Sequence, residues 1–406
     1  MNGILLLAFF LSLSSNLINL YFDYRKKSVF LMIWLLQIPF FYIPFLFYFF
    51  SSERISSESE SLMLFSFICN LSYFIFLVVL RSSLNFRLTN SNPYMDYSSK
   101  SLNNLSLFLL FVFIALIFSV ILISGGSILN AQRSILNNLI WYFSSVYGGV
   151  LAYQFFHQRK LFYVSLVLVF ISILMFKSRG SLGFYFLPLA YLWIIRKPFT
   201  FRRFVVATTV GAITWLLVQV VKAYRWSSSG GDFDLVQFFG ALSYNFQIMF
   251  TKGDLSLHRY SIAAFEACKE RYFSCGEWSL IDKLIVSRFN GEEGISASYW
   301  IANYLNRNPD GELLSYHPIS YGVAFFDGQW LGFLYFLFLT LFNLAISVAS
   351  HTKYYFLVLG GASYLALFVA RGSVYNSFMV FVFCLFFMSI VYLLAFNSSK
   401  NLNKNV

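Results

Sequence analysis

Apolar stretches of about 18 or more residues recur along this chain, and one of them, LSLFLLFVFIALIFSVILI at 105–123, contains no charged residue. At 1.5 Å per residue, a run of that length matches the hydrocarbon core of a bilayer. Inside lipid no water can bond the peptide groups, so a long apolar run has to close its own hydrogen bonds as a helix. Eleven candidate spans succeed one another, at about 2–21, 29–50, 61–80, 104–125, 137–156, 161–176, 181–195, 204–221, 329–350, 354–370 and 374–395, with a short pair on either side of Arg179. Only 11% of the residues are charged, against about 25% in an average soluble domain. The expected fold class is therefore all-α: a polytopic integral membrane protein of about 11–12 transmembrane helices with one large external loop. Three regions result: a bundle over 1–221, an external segment over 222–316 and a second bundle over 317–398.

The net charge of +12 would suit a nucleic-acid binder, but its distribution points elsewhere. The basic residues sit in short clusters between apolar runs, as topology determinants do. With the N-terminus outside, the inner segments carry Arg25, Lys26, Lys27, Arg81, Arg87, Lys100, Arg159, Lys160, Arg196, Lys197, Arg202, Arg203, Lys353, Lys400 and Lys404. The short outer segments carry only Arg54, Arg133, Lys177, Arg179 and Arg371. No basic residue precedes the first run and Tyr-Arg-Lys-Lys succeeds it, the pattern of a span rather than of a cleaved signal.

Residues 222–316 hold eleven of the seventeen acidic residues and nine basic ones, so this segment is not a charge-biased tail. LVQFFGALSYNFQIMF at 235–250 reads as a helix lying on the membrane surface or dipping into it. SASYWIANYLNRNPDG at 296–311 reads as a short helix stopped by Asn-Pro-Asp-Gly. An ordered outer domain or lid is expected. Cys268 and Cys275 are separated by six residues; a disulfide closing this small loop and a pair of free thiols both fit. Cys69 and Cys384 lie inside apolar runs and read as packing residues.

Arg-Gly-Ser occurs twice beside apolar runs, at Arg179 and at Arg371. A lone arginine there can simply snorkel to the headgroups. Here both lie on the face poor in basic residues, each beside a glycine that permits close approach. Guanidinium groups form bidentate bonds to phosphate oxygens, so an anionic ligand at the outer leaflet is implied. Lys222, Arg225, Lys252, Arg259 and Arg288 offer further positive charge in the outer segment. SYHPISYGVAFFDGQWLGFLYF at 315–336 then returns to the membrane with His317, Pro318, Tyr321, Gly322 and Asp327. Its proline and glycines suit a broken or re-entrant segment. His317 suits a base or a phosphate ligand, and Asp327 is the other candidate carboxylate. No metal-binding or nucleotide-binding motif is present, so no cofactor is expected.

These features together resemble the O-antigen (oligosaccharide repeat-unit) polymerases, the Wzy family. The resemblance rests on the many-span plan, on KSRG opening an apolar run, and on the large outer segment. It rests also on YHPISYGVAFFDGQWLGFLYF and on the late ARGSVYNS. The chain departs from that family's usual plan of twelve spans, cytoplasmic termini and two sizeable outer loops. The resemblance implies an enzyme of the bacterial inner membrane whose active site faces the periplasm. It would transfer a growing chain from undecaprenyl pyrophosphate to a hydroxyl of the next lipid-linked unit. Partners would be undecaprenyl-pyrophosphate-linked oligosaccharides, membrane lipids, a chain-length regulator and a flippase, with no nucleic acid. On this basis Arg179 and Arg371 hold the leaving pyrophosphate, with Arg225, Arg288 and Lys222 behind them. His317 takes the acceptor proton, with Asp327 and Glu292 or Glu293 as alternatives. Tyr321, Tyr375 and Asn376 contact the sugars.

Three other classes share parts of this pattern. A ligase moving finished polymer to lipid A core uses the same donor. A repeat-unit flippase or other transporter would show polar residues at mid-span. A membrane acyltransferase would need a His-Asp pair.

Overall fold

The computed structural model describes residues 3–51, 55–83, 99–123, 135–176, 179–196, 200–227, 234–247, 257–271, 275–276, 297–306, 318–350, 352–372 and 374–402. In chain order the α-helices are α1 (Gly3–Arg25), α2 (Leu31–Gln37), α3 (Ile43–Ser51), α4 (Glu58–Ser83), α5 (Lys100–Ile123), α6 (Ile135–His157), α7 (Arg159–Phe176) and α8 (Arg179–Ile195). They continue as α9 (Phe201–Ser227), α10 (Leu235–Gln247), α11 (Leu257–Lys269), α12 (Ala297–Asn306), α13 (Ser320–Gly328), α14 (Leu334–Ala349), α15 (Phe356–Arg371) and α16 (Val374–Leu402). Among the described residues there is no strand. The protein is an all-α polytopic membrane protein. Among the described residues, five helical stretches are long and apolar enough to cross a bilayer: Gly3–Arg25, Leu31–Phe50, Glu58–Ser83, Lys100–Ile123 and Ser320–Ala349. Gly183–Ile195, Phe356–Arg371 and Phe378–Leu394 are shorter apolar helices.

The surface is inverted relative to a soluble bundle. α1 turns Ile4, Leu7, Phe10, Leu17 and Ile18 outward and buries Ser12, Asn16, Asn19 and Asp23. α5 likewise exposes Phe108, Phe111, Phe118 and Leu122 and buries Ser106. Lipid is as apolar as leucine, so helices in a membrane gain from close packing and interhelical hydrogen bonds rather than from hiding grease.

The chain divides into two compact units that do not respect its order. The first comprises 1–90, 249–347 and 366–378; the second comprises 91–248, 348–365 and 379–406. In the first, α1 packs along α4, and α13 packs on α11 and α4. The span Leu31–Phe50 is broken in its middle by a π turn over Ile38–Tyr42, which contains Pro39. Proline has no N–H to give and its ring crowds the preceding turn, so the helix widens there.

In the second unit α6 is the centre, packed on α5, α7 and α8. A side chain at Gly149 would collide with the carbonyl oxygen of Phe356, and one at Gly360 with that of Ser145. α6 and α15 therefore touch backbone to backbone through a pair of glycines, the small-residue contact that membrane helices favour. Ser145 and Cys384 then bond at 3.0 Å to tie α16 to α6.

Candidate functional site

Tyr321, Asp327 and Arg371, three of the expected site residues, lie in the first unit. Pro318 and Ile319 lead into α13, whose nine residues are all buried. Ile319 gives its N–H to the Ser261 hydroxyl of α11 at 3.1 Å. Any side chain at Gly322 would run into Pro318 and Ser261. The segment thus hugs the surface of α11 because glycine leaves room for it.

The Arg371–Gly372 pair meets that same segment. Gly372 ends α15 with φ +89°, and its N–H bonds back to Phe368 O at 2.7 Å. This left-handed ending is the usual helix C-cap and favours glycine. A Cβ there would overlap the Pro318 carbonyl oxygen and crowd Ile319. The backbone after Arg371 is therefore pressed against the backbone after His317. The Arg371 guanidinium lies 6.0 Å from the Phe40 ring centre and 5.9 Å from that of Phe368. Phe40 lies about 14 Å along the span that begins at Leu31. Arg371, the last residue of its helix, is thus bordered by one ring of that helix and one of the span that begins at Leu31.

Tyr321 and Asp327, two of the expected site residues, are interior. The Tyr321 hydroxyl lies 2.8 Å from Gln37 Oε1 and 2.7 Å from Asn70 Oδ1. Its single proton serves one of them at a time. Its ring stacks on Phe336 at 5.7 Å. Asp327 accepts a bond from the Tyr335 hydroxyl at 2.7 Å, which ties α13 to α14 across the 3₁₀ turn Gln329–Phe333.

α11 and α12 roof this segment. Cys268 and Cys275 are joined by a disulfide that packs against Val323 and Phe326 of α13. Gly276 donates its N–H to Phe326 O at 3.0 Å. Lys269 pairs with Glu58 at 2.6 Å, and Ser56 donates to Glu266 at 2.6 Å. Ile301 of α12 packs on Ala263 and Ala264 of α11.

Beneath this roof lies His258, only 1% exposed. Its imidazole sits against Tyr48 at 5.3 Å and Phe45 at 6.2 Å. Neither ring nitrogen has a hydrogen-bond partner among the described residues. Burial, helped by the neighbouring Arg259 charge, pushes its pKa down to about 3. Folding therefore disfavours the protonated form. The roof has its full stability above about pH 6.5 and loses it as pH falls toward 3. Each unit of pH in that window removes up to about 1.4 kcal/mol. The protection factors of α11 amides, taken relative to the intrinsic exchange rate at each pH, are expected to fall between about pH 6.5 and about pH 4 in the native protein. In His258→Phe that fall should be absent; an equal fall in both would exclude His258 as the cause.

Below Tyr321 runs a polar network that the sequence patterns above do not anticipate. Asn70 donates to the Ser15 hydroxyl at 3.2 Å and to Tyr42 at 3.3 Å. Asn16 donates to Gln37 Oε1 at 2.6 Å. Further along α1, Asp23 accepts from Trp34 Nε1 at 2.8 Å, from the Tyr73 hydroxyl at 2.9 Å and from Asn343 Nδ2 at 3.2 Å. Ser28 donates to Asn343 Oδ1 at 2.8 Å. A signal for it does exist: Ser12, Asn16, Asn19 and Asp23 recur at intervals of three and four, one face of a helix. Averaging over an apolar run hides it.

The remaining expected residues are more dispersed. Arg179 is the first residue of α8 and belongs to the second unit; its side chain lies outside the described residues. So do the side chains of Arg225, in the last turns of α9, and of Tyr375 and Asn376, at the start of α16. Lys222 is half-buried on α9. His317, Arg288, Glu292 and Glu293 lie outside the described residues. Among the described residues no group of three His, Cys, Asp or Glu side chains is arranged to hold a metal ion. In comparison with known proteins the chain matches no family model, and neither the curated proteins nor the solved structures give a significant match.

Proposed function

We propose that this protein is a membrane glycosyltransferase that joins undecaprenyl-pyrophosphate-linked oligosaccharide repeat units on the outer face of the bacterial inner membrane. The observation that carries the reading is the contact of Gly372 with Pro318. It sets the residue after Arg371 against the residue after His317, which supports the reading.

In the proposed reaction the glycosidic carbon of the growing chain loses its bond to the pyrophosphate oxygen and gains one to the acceptor hydroxyl oxygen. The acceptor proton passes to His317. The leaving pyrophosphate keeps the bonding electron pair, and Arg371 stabilises the added charge through charge-assisted bonds. Arg288 is assigned to the same phosphates or to the acceptor lipid.

Deletion of the gene in its host, with gel electrophoresis of the surface polysaccharide, tests the reading. A single capped repeat in place of a ladder is expected. Complementation with Arg371→Ala or His317→Ala should lower polymer yield at least about 100-fold, the scale of losing one oxyanion donor or a general base. An unchanged ladder in the deletion strain would end the proposal. Complete loss of capped material would point to a ligase, and lipid-linked units trapped on the inner face to a flippase.

A further inference from the structure

We infer that α10 is immersed in the membrane, with its exposed face against lipid acyl chains of the leaflet on the side where α9 ends. α10 has thirteen residues, about 20 Å of helix, which is too short to cross a core of about 30 Å. No residue from 235 to 247 is charged. Most of its exposed side chains are nevertheless large and apolar, with Gln237 and Ser243 the polar exceptions: Val236 is 81% exposed, Leu235 59% and Phe239 58%. Tyr244 and Phe246 extend the same surface. The other face, with Phe238, Leu242 and the buried Asn245, is turned toward the protein.

Its place in the fold identifies what covers this surface. Asp234 donates its N–H to Ser227 O at 3.3 Å, so α10 begins where α9 stops. The Asp234 carboxylate then caps α10 by accepting the Val236 N–H at 2.8 Å. α10 packs along α9. Two helices joined by a short connection and packed along each other run antiparallel. α10 therefore turns back along α9, which carries the apolar run 204–221 with no charge in it. α9 itself exposes Ile213, Leu216, Leu217 and Val220, residues that face lipid in a membrane-spanning helix. The apolar face of α10 continues that lipid-facing surface. Its polar cap, Asp234, stays at headgroup level. In water, five large apolar side chains on a charge-free helix would be an aggregation site; in a leaflet they are at home. This inference rests on the membrane architecture and not on the proposed reaction.

Depth-dependent fluorescence quenching tests it on the full-length chain. Cys69 and Cys384 are replaced by alanine, and single cysteines are placed at Val236→Cys or Phe239→Cys and labelled with bimane. The protein is reconstituted in phosphatidylethanolamine–phosphatidylglycerol vesicles. Leu217→Cys serves as the lipid-facing reference and Glu270→Cys as the aqueous one. Loss of fluorescence with nitroxide-tailed lipid as large as at position 217, with no iodide quenching, is the expected result. Iodide quenching equal to that at position 270 would overturn the inference, as would disulfide-linked dimers formed through position 236, which would assign the face to a second copy.

Discussion

Replacing Asp23 by alanine is expected to remove most of the folded protein from detergent extracts. The carboxylate is completely buried and accepts three hydrogen bonds, from three different helices, α2, α4 and α14. Arg81 adds a favourable charge interaction. Alanine would leave the Trp34 indole N–H and the Tyr73 hydroxyl without their buried acceptor, and the Asn343 amide with the Tyr73 hydroxyl alone. Breaking a buried charged network by removing one partner costs about 3–5 kcal/mol, a large share of the stability of most domains. Asparagine keeps the shape and one acceptor oxygen. With that oxygen toward Trp34 and Tyr73, its amide hydrogens confront those of Asn343, so a loss of about 1–3 kcal/mol is expected. Thermal unfolding monitored by size-exclusion chromatography should rank the proteins as native, Asp23→Asn, Asp23→Ala. An alanine variant as stable as the native protein would show that the network contributes nothing. The Asn343→Leu variant tests the same junction from α14 and should fall between the two, because Tyr73 and Trp34 still satisfy the carboxylate.

The helices were legible in the sequence, and the networks that join them were not. Every apolar run falls on a helix, because length and continuous hydropathy alone decide that outcome in lipid. The short helices expected within 235–250 and 296–311 are α10 and α12. The break expected around Pro318 and the glycines beyond it is α13, a separate helix of nine residues before α14. Asp23 escaped notice because it stands beside Tyr-Arg-Lys-Lys and reads there as one more charge at a span end. Only the partners on three other helices reveal its role, and pairing across helices leaves no mark on local sequence.

The Arg-Gly-Ser repeat carries a related lesson. At the first copy Arg179 and Gly180 open α8; at the second Arg371 closes α15 and Gly372 caps it. The three residue types are shared, but the backbone runs into a helix in one case and out of one in the other. The downstream residues make the difference: Leu-Gly-Phe-Tyr-Phe continues the first helix, whereas at the second the left-handed glycine stops it. The two arginines are therefore not equivalent in the backbone, and Arg371 is the one on which the proposed site rests.

Gly372→Ala should disable that site as thoroughly as loss of Arg371 itself. Two costs arise, and they can be separated. An L-residue at φ +89° loses about 1–2 kcal/mol. The added methyl also overlaps the Pro318 carbonyl oxygen, and overpacking of this kind costs about 1–3 kcal/mol. Relief requires the Pro318–Ile319 backbone to retreat, which would pull Ile319 from Ser261. On the proposed reaction, a displacement of about 1 Å in the reacting geometry lowers the rate about 100-fold, so polymer yield should fall by that factor while most of the protein stays folded. Gly372→Asn distinguishes the causes. Asparagine tolerates the left-handed conformation better than alanine, yet carries the same Cβ. If torsional strain dominates, asparagine restores activity; if the contact with Pro318 dominates, it does not. The second outcome is expected, because backbone oxygen cannot swing aside as a side chain can. Gly240→Ala, at a glycine with open space around it, should leave both stability and polymer length unchanged. Full activity in Gly372→Ala would mean that the meeting of the two motifs is incidental to what this protein does.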